Sequence, residues 1–187
     1  MGGGKAAREL AGRALASYPA AALGAVCSRV ALIAKADSAL PALEGVEVWI
    51  EPDEPRHPVA GLIHALEQAG EGVLVCAGDM PFVTADACRV LAHGARQPAA
   101  VAFACERLQP LLGVYFPSAL PALRAAPPDA PLTRTVESLR PALVELPAEV
   151  VRSVDTPEAL AEAERELRAR SRSAPAPRAG RGGAGRQ

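Results

Sequence analysis

Apolar runs of strand length alternate with segments of helical period along most of this chain, and the alternation limits the folds that it can adopt. Such a pattern is typical of a largely parallel sheet that helices cover on both faces. We therefore predict an α/β fold of three layers around a mostly parallel sheet. The predicted strands are residues 30–34, 46–50, 73–77, 99–103, 111–115 and 143–146.

Helical segments fill the intervals between these strands. Residues 17–26, 59–69 and 85–91 are predicted helices, and a last helix begins at Thr156-Pro157, with Thr as N-cap and Pro at the first helical position. This helix is expected to end near Arg170. Residues 171–187 contain Pro, Gly, Ser, Ala and Arg without apolar periodicity, so we predict one domain over residues 1–170 followed by a disordered basic tail.

The overall charge excludes one class of partner and directs attention to local sites. A formal net charge of -1 with 22% charged residues provides no general field to attract nucleic acid. The four cysteines include no CxxC pair, so we expect reduced thiols. Since neither a secretion signal nor an apolar run of about 18 residues is present, we expect a cytoplasmic protein without membrane contact.

The glycine turn at the start of the sequence is the first candidate site. In Met1-Gly2-Gly3-Gly4-Lys5 the glycines allow the backbone amides to approach phosphate oxygens, and Lys5 adds a cation. The alternative is an unstructured amino terminus with no ligand.

A second candidate is the turn His57-Pro58-Val59-Ala60-Gly61, which leads into a predicted helix. Small residues at a helix amino end leave free amides that can face a ligand at the carboxyl ends of the strands. An ordinary strand-to-helix loop has the same composition, and His57 is as consistent with helix capping as with a ligand contact.

Two carboxylates form the third candidate. Asp79 follows the predicted strand at 73–77, where Pro81 turns the chain away, and Asp155 directly precedes the last helix. Oxygen ligands of this kind suit Mg²⁺ in company with substrate phosphates. The alternative for each acid is capping of the turn or helix that follows it. Together with the Gly-Lys turn, the two acids indicate phosphoryl chemistry with Mg²⁺ as the cofactor.

The order of these motifs resembles the molybdenum cofactor guanylyltransferase family over nearly all of residues 1–170. The matching segments are MGGGK at 1–5, PVAG at 58–61, GDMPF at 78–82, QPLL at 109–112 and DTPEAL at 155–160. The resemblance implies a Rossmann-like nucleotidyltransferase that joins GTP to molybdopterin and releases pyrophosphate. It further implies small-molecule substrates, a molybdoenzyme or chaperone as a possible partner, and a monomer or weak oligomer.

The resemblance also assigns roles to individual residues. Lys5 and Asp79 are the catalytic residues that it implies, and Asp79 with Asp155 would hold Mg²⁺. The residues that it places at the nucleotide are Gly2, Gly3, Lys5, Lys35, Asp53, Gly61 and Asp79, of which Asp53 would lie near the nucleoside and Gly61 would shape the base pocket.

Departures from the family pattern keep alternatives open. Family members begin with an apolar strand and the sequence LAGGxxxR ahead of Met-Gly, so we expect the first, central strand to be missing here and the reading frame to start further upstream. Lys35 replaces a frequent Asn, and Asp155 stands in an element where the family carries Asn, as in cytidylyl-transferring relatives. A cytidylyltransferase, a transferase for another small acceptor, and a non-catalytic remnant that binds nucleotide therefore remain alternatives.

Overall fold

The computed structural model describes residues 8–173 of the chain, with side chains from Arg8 to Ala169. Its strands are β1 (Glu9–Leu10), β2 (Arg13–Ala14), β3 (Ala31–Ala34), β4 (Glu47–Ile50), β5 (Val73–Cys76), β6 (Ala99–Ala104), β7 (Arg107–Tyr115) and β8 (Ala142–Glu145). Its helices are α1 (Ser17–Gly24), α2 (Pro58–Ala69), α3 (Ala85–His93), α4 (Leu120–Ala125), α5 (Leu132–Ser138) and α6 (Pro157–Ser173).

Every predicted strand and helix is present, with ends that differ by a few residues. Helix α6 continues to Ser173, so the predicted tail begins inside this helix, and residues 174–187 lie outside the described residues. The hairpin β1–β2 and the short helices α4 and α5 are additional, because strands of two residues and helices of no more than two turns carry too little periodicity to be read from sequence.

The sheet is mixed rather than mostly parallel. β3 and β4 form a parallel pair, and β5, β7, β6 and β8 form a second sheet in that order. Strand β7 runs antiparallel to both β5 and β6, whereas β6 and β8 are parallel. β7 is reversed because a tight hairpin joins it to β6. Cys105 and Glu106 occupy this turn with φ of 50° and 57°, the left-handed values that a two-residue hairpin of type I′ requires.

Helices cover both faces of the sheet, so the predicted three-layer α/β fold is confirmed. Successive side chains of a strand point to opposite faces. Accordingly, Leu74 of β5 packs in the apolar cluster that contains Leu91 of α3, and its neighbour Val75 packs in the cluster that contains Leu66 of α2. α1 contributes to the first cluster, while α4 and α5 contribute to the second.

The described part of the sheet is interrupted between β3 and β5. Within residues 8–173, β3 pairs with β4 alone and β5 pairs with β7 alone. A cleft of about 650 Å³ separates the two unpaired edges. The predicted absence of a central strand concerns the part of the chain ahead of Arg8, which lies outside the described residues, and it stays a prediction. The cleft opens beside the candidate site.

Two further observations concern the chain as a whole. No helix among residues 8–173 has the length and apolar character needed to cross a membrane. All four cysteines are free thiols, as predicted; Cys88 is buried and Cys105 is exposed.

Candidate functional site

The two predicted acidic residues lie on adjacent backbone segments. Strand β5 ends at Cys76 and leads through Gly78 to Asp79, whose carbonyl oxygen accepts a hydrogen bond of 2.7 Å from the amide of Val154. Asp155 follows Val154 directly. Capping of α6 is performed by Thr156, whose Oγ1 accepts a hydrogen bond from Ala159 N at 3.1 Å. The site therefore combines two acids from segments that are distant in sequence, and the helix cap does not depend on Asp155.

Within the described residues, the carboxylates of Asp79 and Asp155 are both available to a ligand. Asp79 is half-buried and Asp155 is exposed, and no side chain or amide of the described residues donates to either carboxylate. Two hard oxygen donors fit Mg²⁺, which is usually bound by one or two carboxylates with waters and substrate phosphates completing its shell. The described residues contain no cluster of three or more acids, histidines or cysteines that would hold a metal by protein ligands alone.

The Cys76 thiol, at the end of β5, is poorly suited to bind a metal ion. Burial raises the pKa of the Cys76 thiol strongly, and the charges of Cys88 and Asp79 raise it further. A protonated thiol is a poor metal ligand. The donor set is therefore one of hard oxygens.

An apolar cluster under the two acidic segments fixes their position. Leu10, Leu15, Phe82, Val154 and Ala163 form this cluster, which joins the β1–β2 hairpin, the segment after Asp79 and helix α6. The guanidinium of Arg152 stacks over the Phe82 ring at 4.1 Å from its centroid and pairs with Glu162 at 3.6 Å and with Glu166. The backbone around Asp79 and Asp155 is thus held by packing and by an ion-pair network.

Lys35, predicted at the nucleotide, is almost completely buried after β3 and organises the neighbouring loop. Its Nζ donates to the carbonyl oxygens of Pro52 and Pro55, the latter at 3.1 Å, and lies 3.5 Å from Glu51 Oε1. The side chains of Lys35 and Glu51 are about nine-tenths buried, with exposed fractions of 10% and 13%. The ammonium therefore anchors the loop that follows β4, which includes the exposed Asp53.

Glu51 is a candidate residue that the sequence interpretation missed. Its Oε2 is buried and has no hydrogen-bond partner among the described residues, and the residue lines the cleft. A buried acceptor without a partner is costly unless something donates to it. Glu51 directly follows an apolar strand, and a position near the end of such a strand is the signal that identified Asp79. However, four charged residues lie within 51–56, and nothing in the sequence favoured Glu51 over Asp53.

Gly61 and His57 define the start of α2 beside this carboxylate. A Cβ on Gly61 would lie 3.5 Å from Glu51 Oε2 and 3.9 Å from Ile33 Cγ2, so the missing side chain leaves space in front of the buried oxygen. His57 is the N-cap, and its Nδ1 accepts from Val59 N at 3.2 Å. Of the two readings of His57, the structure thus shows the capping one, and Gly61 lines the cleft as Gly78 does.

The predicted phosphate turn lies outside the described residues, which begin at Arg8. Gly2, Gly3 and Lys5 therefore stay predictions. The adjoining segment is placed: Leu15 N donates to Arg8 O at 2.7 Å, and a Cβ on Gly78 would meet Ala16 Cβ at 3.7 Å. The chain thus enters the described region at the carboxyl end of β5, next to Asp79.

Comparisons with known proteins give the same fold and a family. Molybdopterin-guanine dinucleotide biosynthesis protein A from Archaeoglobus fulgidus superposes with a TM-score of 0.62 at 21% identity, over 88% of this chain and 91% of that one. The 2-C-methyl-D-erythritol 4-phosphate cytidylyltransferase of Thermus thermophilus superposes with a TM-score of 0.69 at 24% identity, over 89% and 95%. Identities this low establish the fold alone.

Among curated protein sequences, none matches this chain significantly. The family model described as MobA-like NTP transferase domain matches residues 1–143, which is most of the chain. With the layered α/β fold of its structural neighbours, this match shows that the chain belongs to the MobA-like NTP transferase domain family.

Proposed function

We propose that this protein is a Mg²⁺-dependent nucleotidyltransferase that transfers GMP from GTP to molybdopterin and releases pyrophosphate. The observation that carries the proposal is the hydrogen bond from Val154 N to Asp79 O, which joins the backbone segments that carry Asp79 and Asp155 at the carboxyl end of β5. This edge of an α/β sheet is where such folds bind nucleotides. The family match supports nucleotidyl transfer, and the motif at 109–112 favours the molybdenum cofactor branch.

The proposed reaction is a displacement at phosphorus. A terminal phosphate oxygen of molybdopterin attacks the α-phosphorus of GTP, a new P–O bond forms, and the bond from the α-phosphorus to the bridging oxygen breaks as pyrophosphate leaves. Bound at Asp79 and Asp155, Mg²⁺ would supply charge neutralisation for the triphosphate. Asp79 and Asp155 would hold this ion in position through their carboxylate oxygens. Lys5 and the amides of Gly2 and Gly3 are proposed to donate to the phosphates.

On the other side of the cleft, Lys35, Asp53 and Gly61 are proposed to form the nucleoside side of the site. Lys35 acts there by holding the 52–55 loop, since its Nζ is bonded to Pro52 O and Pro55 O. The absence of a side chain at Gly61 provides room for a base beside the Glu51 carboxylate.

A cytidylyltransferase is the second candidate. It is favoured by the Asp at position 155, which cytidylyl-transferring relatives carry in this element. A non-catalytic nucleotide-binding protein is the candidate from another class.

One experiment separates these candidates. The 187-residue chain is incubated with Mg²⁺, molybdopterin and each of the four nucleoside triphosphates in turn, and pyrophosphate is measured. We expect release with GTP that requires molybdopterin and is abolished by Asp79→Asn. Release with CTP alone would replace the proposal by the second candidate, and saturable GTP binding without any turnover would replace it by the third.

A further inference from the structure

The side chain of Arg152 connects the two segments that carry the acidic residues of the site. Arg152 lies three residues before Asp155, and its guanidinium carbon lies 4.1 Å from the ring centroid of Phe82, which is three residues after Asp79. The hydrogen bond from Val154 N to Asp79 O joins the same two segments. The segments are therefore joined at two points, one through the backbone and one through a side chain.

Two points of attachment fix more than one does. A single hydrogen bond allows the two segments to rotate about it, and such a rotation would change the distance between the acidic residues. The stack of Arg152 on Phe82 opposes this rotation, because the quadrupole of an aromatic ring attracts a cation to its face. The hydrogen bond and the stack together determine how the two segments are oriented relative to each other.

Phe82 is a firm base for the stack. Its side chain is 5% exposed and belongs to the apolar cluster that also contains Val154. Only Met80, which is buried, and Pro81, whose φ is fixed by its ring, separate Phe82 from Asp79. A displacement of the Phe82 ring would therefore displace Asp79 as well.

Two acids of α6 hold the guanidinium in place over this ring. Arg152 pairs with Glu162 at 3.6 Å and with Glu166. A guanidinium is planar and carries its donors at its edge, so it can pair with carboxylates while its face lies on an aromatic ring. A lysine ammonium can form the pairs but not the planar stack. The contact with Phe82 thus depends on arginine rather than on positive charge alone.

The relative position of the two segments matters for binding of a cation. Two carboxylates that share one cation repel each other until the cation is bound. Segments that were joined at a single point could move apart to relieve this repulsion, and the cation would have to bring them together again. A scaffold that holds them at a fixed spacing avoids this cost and raises the affinity for the cation.

We propose that Arg152 is a positioning residue of the metal site: its stack on Phe82 holds the segments of Asp79 and Asp155 at the spacing that one divalent cation requires. The inference rests on the proposed function, because it takes both acids as ligands of the cation. Groups that orient metal ligands without contacting the metal typically change its affinity by about 10- to 100-fold when they are replaced.

Hydrogen exchange tests the double attachment without metal or substrate. Arg152→Met keeps an apolar stem and removes the guanidinium. We expect it to speed exchange of the Val154 amide, which is bonded to Asp79 O, by about tenfold. The Leu146 amide, which donates to Phe103 O at the start of the same segment, is the internal control and should change much less. Equal exchange of the Val154 amide in variant and wild type overturns the proposal.

A titration of the 187-residue chain with Mn²⁺, followed by electron paramagnetic resonance, tests the effect on the metal site. Arg152→Met and Phe82→Leu should each raise the Kd for Mn²⁺ by about tenfold. Their combination should raise it no further, because both changes remove the same stack. Arg152→Lys should restore only a small part of the affinity, and full restoration overturns the role of the stack.

Arg168→Met is the matched control for these measurements. Arg168 also lies on α6, but its ion pair within the described residues is with Glu164, one turn away on the same helix. Its replacement should leave the Kd for Mn²⁺ unchanged. Equal losses of affinity in Arg168→Met and Arg152→Met would reflect the charge of this surface in general and overturn the proposal. If Arg152→Met does not fold, Phe82→Leu replaces it in each comparison with the same outcomes.

Asp79→Asn separates failure of this inference from failure of the proposed function. Weaker Mn²⁺ binding in Asp79→Asn but not in Arg152→Met would mean that the acid binds the cation without help from Arg152, and it overturns this inference alone. Unchanged binding in both variants overturns the metal site and the inference together.

Turnover provides the last comparison. Arg152→Met should raise the Mg²⁺ concentration needed for half-maximal activity, and at saturating Mg²⁺ its kcat and its KM for GTP should approach the wild-type values. A role confined to folding would instead lower kcat with the folded fraction and leave the Mg²⁺ dependence unchanged. That outcome overturns the proposal.

Discussion

The amide of Val154 donates a hydrogen bond of 2.7 Å to the carbonyl oxygen of Asp79, and this bond joins the segment after β5 to the segment before α6. It is made by backbone atoms, so it does not depend on either carboxylate. The apolar contacts of Phe82 and Val154 beneath it are equally independent of charge. The two acids can therefore be altered without loss of the scaffold that positions them.

Replacement of Asp79 by Asn should abolish activity while preserving stability. The change removes a negative charge from the proposed Mg²⁺ site, and we expect nucleotidyl transfer to fall by at least about 100-fold. Because no described residue bonds to the carboxylate, the free energy of unfolding should change by less than about 0.5 kcal/mol. Pyrophosphate release and urea denaturation measure the two quantities.

Asp155→Asn and Asp86→Asn complete this comparison. Asp155→Asn should raise the Mg²⁺ concentration needed for half-maximal activity, whereas Asp86, an exposed partner of Arg89 on α3, should not affect it. Activity of Asp79→Asn at the wild-type level, with the same Mg²⁺ dependence, would remove Asp79 from the proposed site.

Substitution of Lys35 by Met should destabilise the protein strongly. The change leaves the Glu51 carboxylate without its cation and the carbonyl oxygens of Pro52 and Pro55 without a donor. Breaking a buried pair from one side typically costs about 3 to 5 kcal/mol. Urea denaturation should show a lower midpoint at unchanged slope. The matched change Arg56→Met, at an exposed pair with Asp37, should leave the midpoint nearly unchanged.

A double-mutant cycle distinguishes the ion pair from the loop contacts of Lys35. If the pair with Glu51 matters, Lys35→Met combined with Glu51→Leu should be more stable than the sum of the single effects, by about 0.5 to 3 kcal/mol. Strict additivity would show that the anchoring of Pro52 and Pro55 accounts for the whole effect.

The order of elements could be predicted from sequence because each long element carries its own period. The predicted strand at 73–77 and helix at 59–69 agree with β5 and α2 to within one residue at each end, and Thr156 caps α6 as predicted. The reversal of β7 could not be found this way. Its hairpin turn uses Cys105 and Glu106 at positive φ, where Asn-Gly would have been the recognisable signal.

The placement of Asp79 just after β5 was predictable from the apolar run that precedes it, whereas its role in the site stays a prediction. A role that depends on a long-range contact was not predictable. Glu51 and Lys35 meet because parallel strands β3 and β4 end together, and their mutual burial has no local sequence signal.

Gly113 should tolerate no side chain. A Cβ at this position of β7 would lie 2.7 Å from Ala100 O and 3.0 Å from Val101 Cα, both backbone atoms of the paired strand. Gly113→Ala should therefore lower the free energy of unfolding by about 1 to 3 kcal/mol. Gly24→Ala is the control: its Cβ meets only Val30 Cγ2 at 3.8 Å, and alanine favours the helix. Equal midpoints for the two variants in urea would contradict the close strand approach.

Thiol labelling should distinguish Cys105 from the other cysteines. Cys105 is exposed, whereas Cys88 is buried, and burial followed by the charge of Cys27 raises the pKa of Cys88 to about 11. Burial also raises the pKa of Cys27 and Cys76. The thiolate is the reactive form of a cysteine. At pH 8 only about one thousandth of the Cys88 thiol, with its pKa of about 11, is thiolate, and its reactivity increases as the pH rises toward 11.

A disulfide reagent added to the native protein at pH 8 should therefore modify one thiol, Cys105, rapidly. Cys105→Ser should eliminate this fast phase. In denaturant, all the remaining thiols of the variant should react. Rapid modification of Cys88 in the native Cys105→Ser variant would mean that the cluster of Cys88 with Leu91 and Leu112 opens to solvent. In that case, the packing of α3 against the sheet that holds Asp79 in place would be far less stable than these contacts imply.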